Sequence, residues 1–238
     1  MVFVNEWLIF SLILLGIWLI VFILNRKSRK EILWTSLFTM PFGLTVPFFV
    51  PEYWSPPSLF NLNLKTGFDI ESLIFSFAIG GIVVSLYELR KMKHKKMSSK
   101  EIHSKRHRFH LLTLISLPLI FLSLYFLTDL NPIYSSFIAM GFFAVSSLLC
   151  RPDLKKKILW SGFLFLAVYF FFFLFFNAVY SYAVEKFWNL SALSGILILG
   201  VPLEELIFGF LFGLSWGSIY EYVKWYRIED VKSKNERR

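Results

Sequence analysis

Long apolar runs alternate along this chain with short polar or basic stretches. Seven spans are predicted, over Trp7–Leu24, Ile32–Val50, Ile70–Tyr87, Phe109–Leu127, Ile133–Leu149, Ile158–Val179 and Ile196–Tyr222. A membrane helix needs about 20 apolar residues. The last run exceeds that, and its helix is expected to begin near Pro202, because proline suits the first helical turn. The second span is interrupted by Pro41, Gly43 and Pro47, and Pro51, Pro56 and Pro57 follow it. Prolines free backbone carbonyls that must find partners inside the protein. The stretch from Met40 to Pro57 is therefore expected to line or cap a cavity. Its Tyr53 and Trp54 suit that role and an interfacial aromatic belt equally. Pro118 predicts a kink in the fourth span. The sixth span carries Tyr169 and a run of phenylalanines to Phe176, read as packing bulk or as a wall of π-faces.

Two of the polar–apolar patterns are copies of each other. Gly67–Leu89 and Gly200–Tyr222 align without gaps at an offset of 133, with ten identities in 23 positions. Glu71, Phe75, Gly80, Tyr87 and Glu88 match Glu204, Phe208, Gly213, Tyr220 and Glu221. A weaker echo lies upstream, where Glu52-Tyr53-Trp54 resembles Glu185-Lys186-Phe187-Trp188. The fold class that follows is an all-α membrane protein. Its seven transmembrane helices form two parallel three-helix repeats joined by a linker helix. The expected divisions are a first repeat over 1–108, a linker helix over 109–130, and a second repeat with a basic tail over 131–238.

Composition strengthens the membrane reading: 56% of residues are hydrophobic, 29 are Phe, and the mean hydropathy is +0.61. Soluble domains sit near 45–50% apolar by ordinary usage. The net charge of +9 could suggest nucleic acid, but 23 of the 25 Lys and Arg fall in four stretches between or after spans. That bias places the N-terminus outside and the C-terminus in the cytoplasm of a multi-pass cell-membrane protein. No nucleic-acid partner is expected, and membrane lipid is. No cleavable leader is expected, because the first run follows Glu6 rather than a basic segment. The lone Cys150 excludes a disulfide framework.

The candidate chemistry lies where acids meet apolar runs, since ionisable groups near membrane depth are costly and mark function. On a helical wheel Glu204, Phe208 and Leu211 share one side, while Gly209, Gly213 and Gly217 share the opposite one. Small residues let membrane helices approach closely, so the glycine face is expected to pack and the Glu204 face to line a cavity. Glu205 falls to the side, with Ser72 as its counterpart. In a dry site desolvation outweighs the helix dipole, worth about 1 kcal/mol, and at least one acid keeps its proton. Such an acid beside aromatic rings can protonate an alkene. The plainer reading is that these acids cap helices, and for Asp69 that reading leads. Glu88 and Glu221 are expected at the opposite interface, paired with Arg90 or Lys224. His103, His107 and His110 share a face but stand among basic residues that oppose a cation. No metal and no cofactor is expected, and no nucleotide fingerprint occurs. The Asn189-Leu-Ser191 sequon and Cys150 carry little weight alone.

The stretch Pro202-Leu-Glu204-Glu205-Leu-Ile-Phe208 resembles the Pro-x-Glu-Glu-x-x-Phe motif of the integral-membrane lycopene cyclase domain, found as paired subunits or fused duplicates. The duplicated seven-span layout resembles the fused form. The resemblance implies redox-neutral cyclisation of the ends of a linear carotenoid, an apolar polyene. Glu204 or Glu205 would be the proton donor, with Glu71 as the repeat-related acid. Pro202, Phe208, Phe75, Asp69 and Trp54 would shape the substrate site. The first repeat departs from the motif, with Asp69 at the proline position and Ser72 at the second acid. On this reading Glu204→Gln abolishes ring formation. Two other classes stay open: a non-catalytic carotenoid-binding or scaffolding protein, and a proton-coupled carrier. A homo-oligomer is compatible with each.

Overall fold

The computed structural model describes residues 5–88 and 92–230. Arg90, one expected partner of Glu88, the last residue of the Gly67–Leu89 stretch, and the tail beyond 230 lie outside the described residues. The long helices are α1 (Glu6–Leu24), α2 (Arg29–Thr39), α3 (Ile70–Glu88), α4 (His110–Leu127), α5 (Pro132–Cys150), α6 (Lys155–Val179) and α7 (Leu203–Trp216), followed by the short α8 (Ile219–Lys224). Among the described residues, seven segments are long and apolar enough to cross a membrane, each at a predicted span. This is an all-α membrane protein. Leu19, Ile20, Leu111, Leu112, Phe126 and Phe171 are among the many large apolar side chains exposed on its flanks, which only lipid can cover at this extent.

Local chemistry sets the helix ends. The Asn5 side chain accepts from Leu8 N at 3.0 Å to start α1, and Asn131 accepts from Ile133 N at 3.1 Å ahead of Pro132 in α5. The second span departs from a straight helix as its prolines predict: α2 gives way to a 3₁₀ segment, Met40–Thr45, and then to a single turn, Val46–Phe49. The last span differs from one continuous helix. Residues 197–202 form a small hairpin, with β2 (Leu197–Ile198) against β3 (Val201–Pro202), and the helix behind it breaks between Trp216 and Ile219. Gly67 and Gly200, matched in sequence, both have left-handed backbones, with φ of 78° and 80°, a conformation that favours glycine.

The glycine face of α7 packs on α6. A Cβ on Gly213 would lie 2.5 Å from the Ser161 carbonyl oxygen, and one on Gly209 would lie 3.0 Å from the Tyr169 ring. On α3, a Cβ on Gly80 would strike Thr39 of α2. Between the two halves, Trp54 bridges Trp188 in antiparallel fashion, with Ser55 N donating to Phe187 O at 2.7 Å and Asn189 N to Tyr53 O at 2.9 Å. At the opposite end, β1 (Met92–Lys96) pairs with β4 (Tyr226–Asp230).

Candidate active site

A cavity of about 440 Å³ lies among the helices, lined by residues from all seven spans. Its size is ordinary for a small-ligand pocket. Its wall is almost entirely apolar and aromatic, with Trp7, Phe10, Phe75, Phe173 and Phe212 among the lining side chains. Among the described residues, one carboxyl group reaches it, that of Glu205. From α7 the stripe that faces the cavity is Glu205, Phe208, Phe212 and Trp216, spaced so that they fall along one side of a helix.

Glu205 is 5% exposed and held from three directions. Trp188 Nε1 donates to Oε1 at 2.7 Å, the Tyr53 hydroxyl makes a very short hydrogen bond to the same oxygen, and the Tyr169 hydroxyl bonds Oε2 at 2.8 Å. Trp188 Nε1 also lies 3.3 Å from the Tyr53 oxygen. Burial, then the adjacent Glu205 carboxylate, holds the Tyr53 hydroxyl well above the usual phenol range, so Tyr53 keeps its proton. The indole can only donate, whereas each phenol oxygen can donate or accept. The cage therefore fits both the carboxylic acid and the carboxylate. Around it the rings stand in contact: Tyr169 and Phe208 at 5.9 Å, Trp54 and Trp188 at 5.5 Å, Trp7 and Phe75 at 5.2 Å between centroids. Such faces attract a cation.

The other acids named from the sequence sit elsewhere. Glu204 turns toward the loop before its helix, accepting from Ser194 N at 2.8 Å and from the Tyr134 hydroxyl at 2.9 Å. Glu71 does the equivalent in the first half, accepting from Leu59 N and from Asn5 Nδ2, both at 2.6 Å. Asp69 caps α3 through Ser72 N at 2.5 Å. Pro202 is buried in β3. Of the expected site residues the cavity gathers Glu205, Phe208, Phe75 and Trp54, together with Ser72; Glu204, Glu71, Asp69 and Pro202 are not in its lining. The wheel turned Glu204 toward the cavity and Glu205 aside; the structure has Glu205 on the cavity and Glu204 on the loop. The reason is that the cavity borders the glycine face rather than opposing it.

Residues 131–223 match the family model for lycopene cyclase. Over this segment the chain is similar to the lycopene cyclase family. The matched segment contains Tyr134, Tyr169, Trp188, Glu204 and Glu205, while Tyr53, Trp54 and Phe75 come from the part before it. No curated protein and no solved structure matches the chain.

Sequence reasoning did not single out Tyr169 or Trp188 as site residues. Tyr169 carries a hydroxyl at the head of a phenylalanine run, and Trp188 stands in the echo of Glu52-Tyr53-Trp54. Both signals were present, but only the fold aims them at one carboxylate. The Phe-rich part of α6 divides its roles: Tyr169 and Phe173 line the cavity, whereas Phe171 and Phe175 are exposed.

Proposed function

We propose that the protein cyclises the ends of a linear, lycopene-like carotenoid by acid initiation, as an isomerase of the intramolecular-lyase type, with Glu205 as proton donor. The observation that carries this reading is a buried carboxyl, the one at the cavity wall among the described residues, caged by Tyr53, Tyr169 and Trp188 in a chain whose residues 131–223 match the lycopene cyclase family model.

In this reading the Glu205 carboxyl gives its proton to the terminal double bond of the polyene. The resulting carbocation closes onto a nearby double bond, forming one carbon–carbon ring bond and moving the positive charge into the ring. A neighbouring C–H then loses its proton to the Glu205 carboxylate, which restores the acid and a double bond. No atom or electron is gained or lost, so the product is an isomer of the substrate. The three hydrogen bonds stabilise the carboxylate while the cation exists, and the ring faces of Phe208, Phe75 and Trp54 stabilise the cation. Glu204 and Glu71 act as positioning residues by holding the loops ahead of α7 and α3, with Asp69 and Pro202 setting those helix starts.

Two further points belong to this reading. The chain acts as two parallel repeats around one cavity, supported by the 133-residue offset and the reciprocal hydrogen bonds around Trp54 and Trp188. The basic stretches favour an orientation with the Glu205 end outside and the Glu221 end in the cytoplasm. Expression in lycopene-making cells is expected to yield ringed carotenoids. Unchanged lycopene with the intact protein in the membrane would sink the enzymatic reading and favour a carotenoid binder.

A further inference from the structure

At the opposite end of the bundle from Glu205, roughly 24 Å along the last span by helical rise, a second polar cluster is buried. Its members come from five elements: Glu31 of α2, Glu88 of α3, His94 of β1, Lys157 of α6 and Glu221 of α8. The expected pairing of Glu221 with Lys224 does not form; the Lys224 ammonium lies 4.7 Å from the Trp34 ring instead. Lys157, 1% exposed, donates to Glu31 Oε1 at 2.8 Å, Glu88 Oε1 at 3.0 Å and Glu221 Oε1 at 2.7 Å. An ammonium has three N–H groups, and these contacts use them all.

Three observations remain unexplained by Lys157. First, three buried carboxyl groups face one ammonium, so Lys157 can balance the charge of only one of them. Uncompensated buried charge costs several kcal/mol per ion. Second, Glu31 Oε2 and Glu221 Oε2 are buried with no hydrogen-bond partner, although Glu31 is 2% and Glu221 0% exposed. Third, the carboxylates converge on a single imidazole nitrogen. His94 Nε2 lies 2.6 Å from Glu221 Oε1, 3.6 Å from the unpartnered Glu31 Oε2 and 3.7 Å from Glu88 Oε1. One donor atom from each of Glu31, Glu88, His94 and Glu221 lies within 4.8 Å of every other. With metal–ligand bonds of about 2.0–2.2 Å, a small inward shift of these side chains would enclose one ion.

We propose that Glu31, Glu88, His94 and Glu221 bind a divalent transition-metal ion, Mn²⁺ or Zn²⁺. One imidazole among carboxylates suits these ions; hard cations prefer all-oxygen sets, and no thiolate joins the cluster to favour a soft ion. The double charge would balance the carboxyl groups that Lys157 alone does not neutralise. The ion ties α2, α3 and α8 to the β1–β4 pair, so its role is to hold the two halves together at this end. It touches neither the cavity nor Glu205.

The test is metal content and melting of the full-length protein, purified in detergent without chelator from cells supplied with manganese and zinc. One Mn or Zn per chain is expected. His94→Ala, a change at a partly exposed side chain, should lose the ion while keeping a monodisperse elution profile. A chelator should lower the melting temperature of the wild type, and Mn²⁺ or Zn²⁺ alone should restore it where Mg²⁺ does not. The proposal is overturned if the wild type carries no more metal than His94→Ala, or if its melting ignores both chelator and added metal. That outcome would assign the balance of the remaining carboxyl groups to protons or to other side chains. Ring formation in the cells is read separately, so failure here leaves the cyclase reading untouched.

Discussion

The starts of α3 and α7 are built from nearly the same residues and differ where it matters chemically. Each follows a left-handed glycine, Gly67 or Gly200. Each carries an acid that accepts a backbone N–H from the preceding loop, Glu71 from Leu59 and Glu204 from Ser194. The next position differs: Ser72 on α3, Glu205 on α7, both lining the cavity. Around Glu205 stand two phenols and an indole. The Ser72 hydroxyl, by contrast, is buried without a partner. The shared acids hold loops, and the unshared acid meets the cavity. Likeness between the two stretches therefore tracks what folding requires, and their difference locates the proposed chemistry.

Glu205→Gln is the sharpest way to break this contrast. Removing a positioned acid typically costs 10²–10⁴-fold, so ringed carotenoids in lycopene-making cells should fall by at least about a hundredfold. Retained ring formation would move the proton donor elsewhere, with Glu204 the next candidate. Tyr169→Phe removes one hydrogen bond to the carboxylate and leaves the ring in place. A bond to a charged group is worth about 1.5–3 kcal/mol, so initial cyclisation rates should drop by about ten- to a hundredfold at unchanged protein level.

Glu71→Gln should behave differently in kind. It weakens the anchoring of residue 59, and about 1–3 kcal/mol of stability is at risk. The melting temperature in detergent should fall while the product pattern persists; abolished cyclisation in a folded protein would make Glu71 a partner in the chemistry. The smallest effect is expected from Ser72→Ala, which removes a buried hydroxyl with no bond to lose. Stability and product yield should stay within about 0.5 kcal/mol of wild type. A large loss would show that α3 contributes a working polar group of its own.

The seven spans, the proline-broken second span and the start of the last helix near Pro202 were legible in the chain, because bilayer thickness and proline geometry act on local sequence. The packing of Gly209, Gly213 and Gly217 was legible for the same reason, since a small-residue stripe has one use between membrane helices. The choice between Glu204 and Glu205 was not. Adjacent residues differ by 100° around a helix, and which of them meets a cavity depends on how α7 is rotated against α6 and on where the remaining spans close the space. The aim of Tyr53, Tyr169 and Trp188 at one carboxyl, and of Glu31, Glu88 and Glu221 at Lys157, joins residues separated by up to 152 positions. Local pattern determined the spans and marked the acids. Only the tertiary structure decided their partners, because hydrogen-bond geometry between distant segments is set by packing.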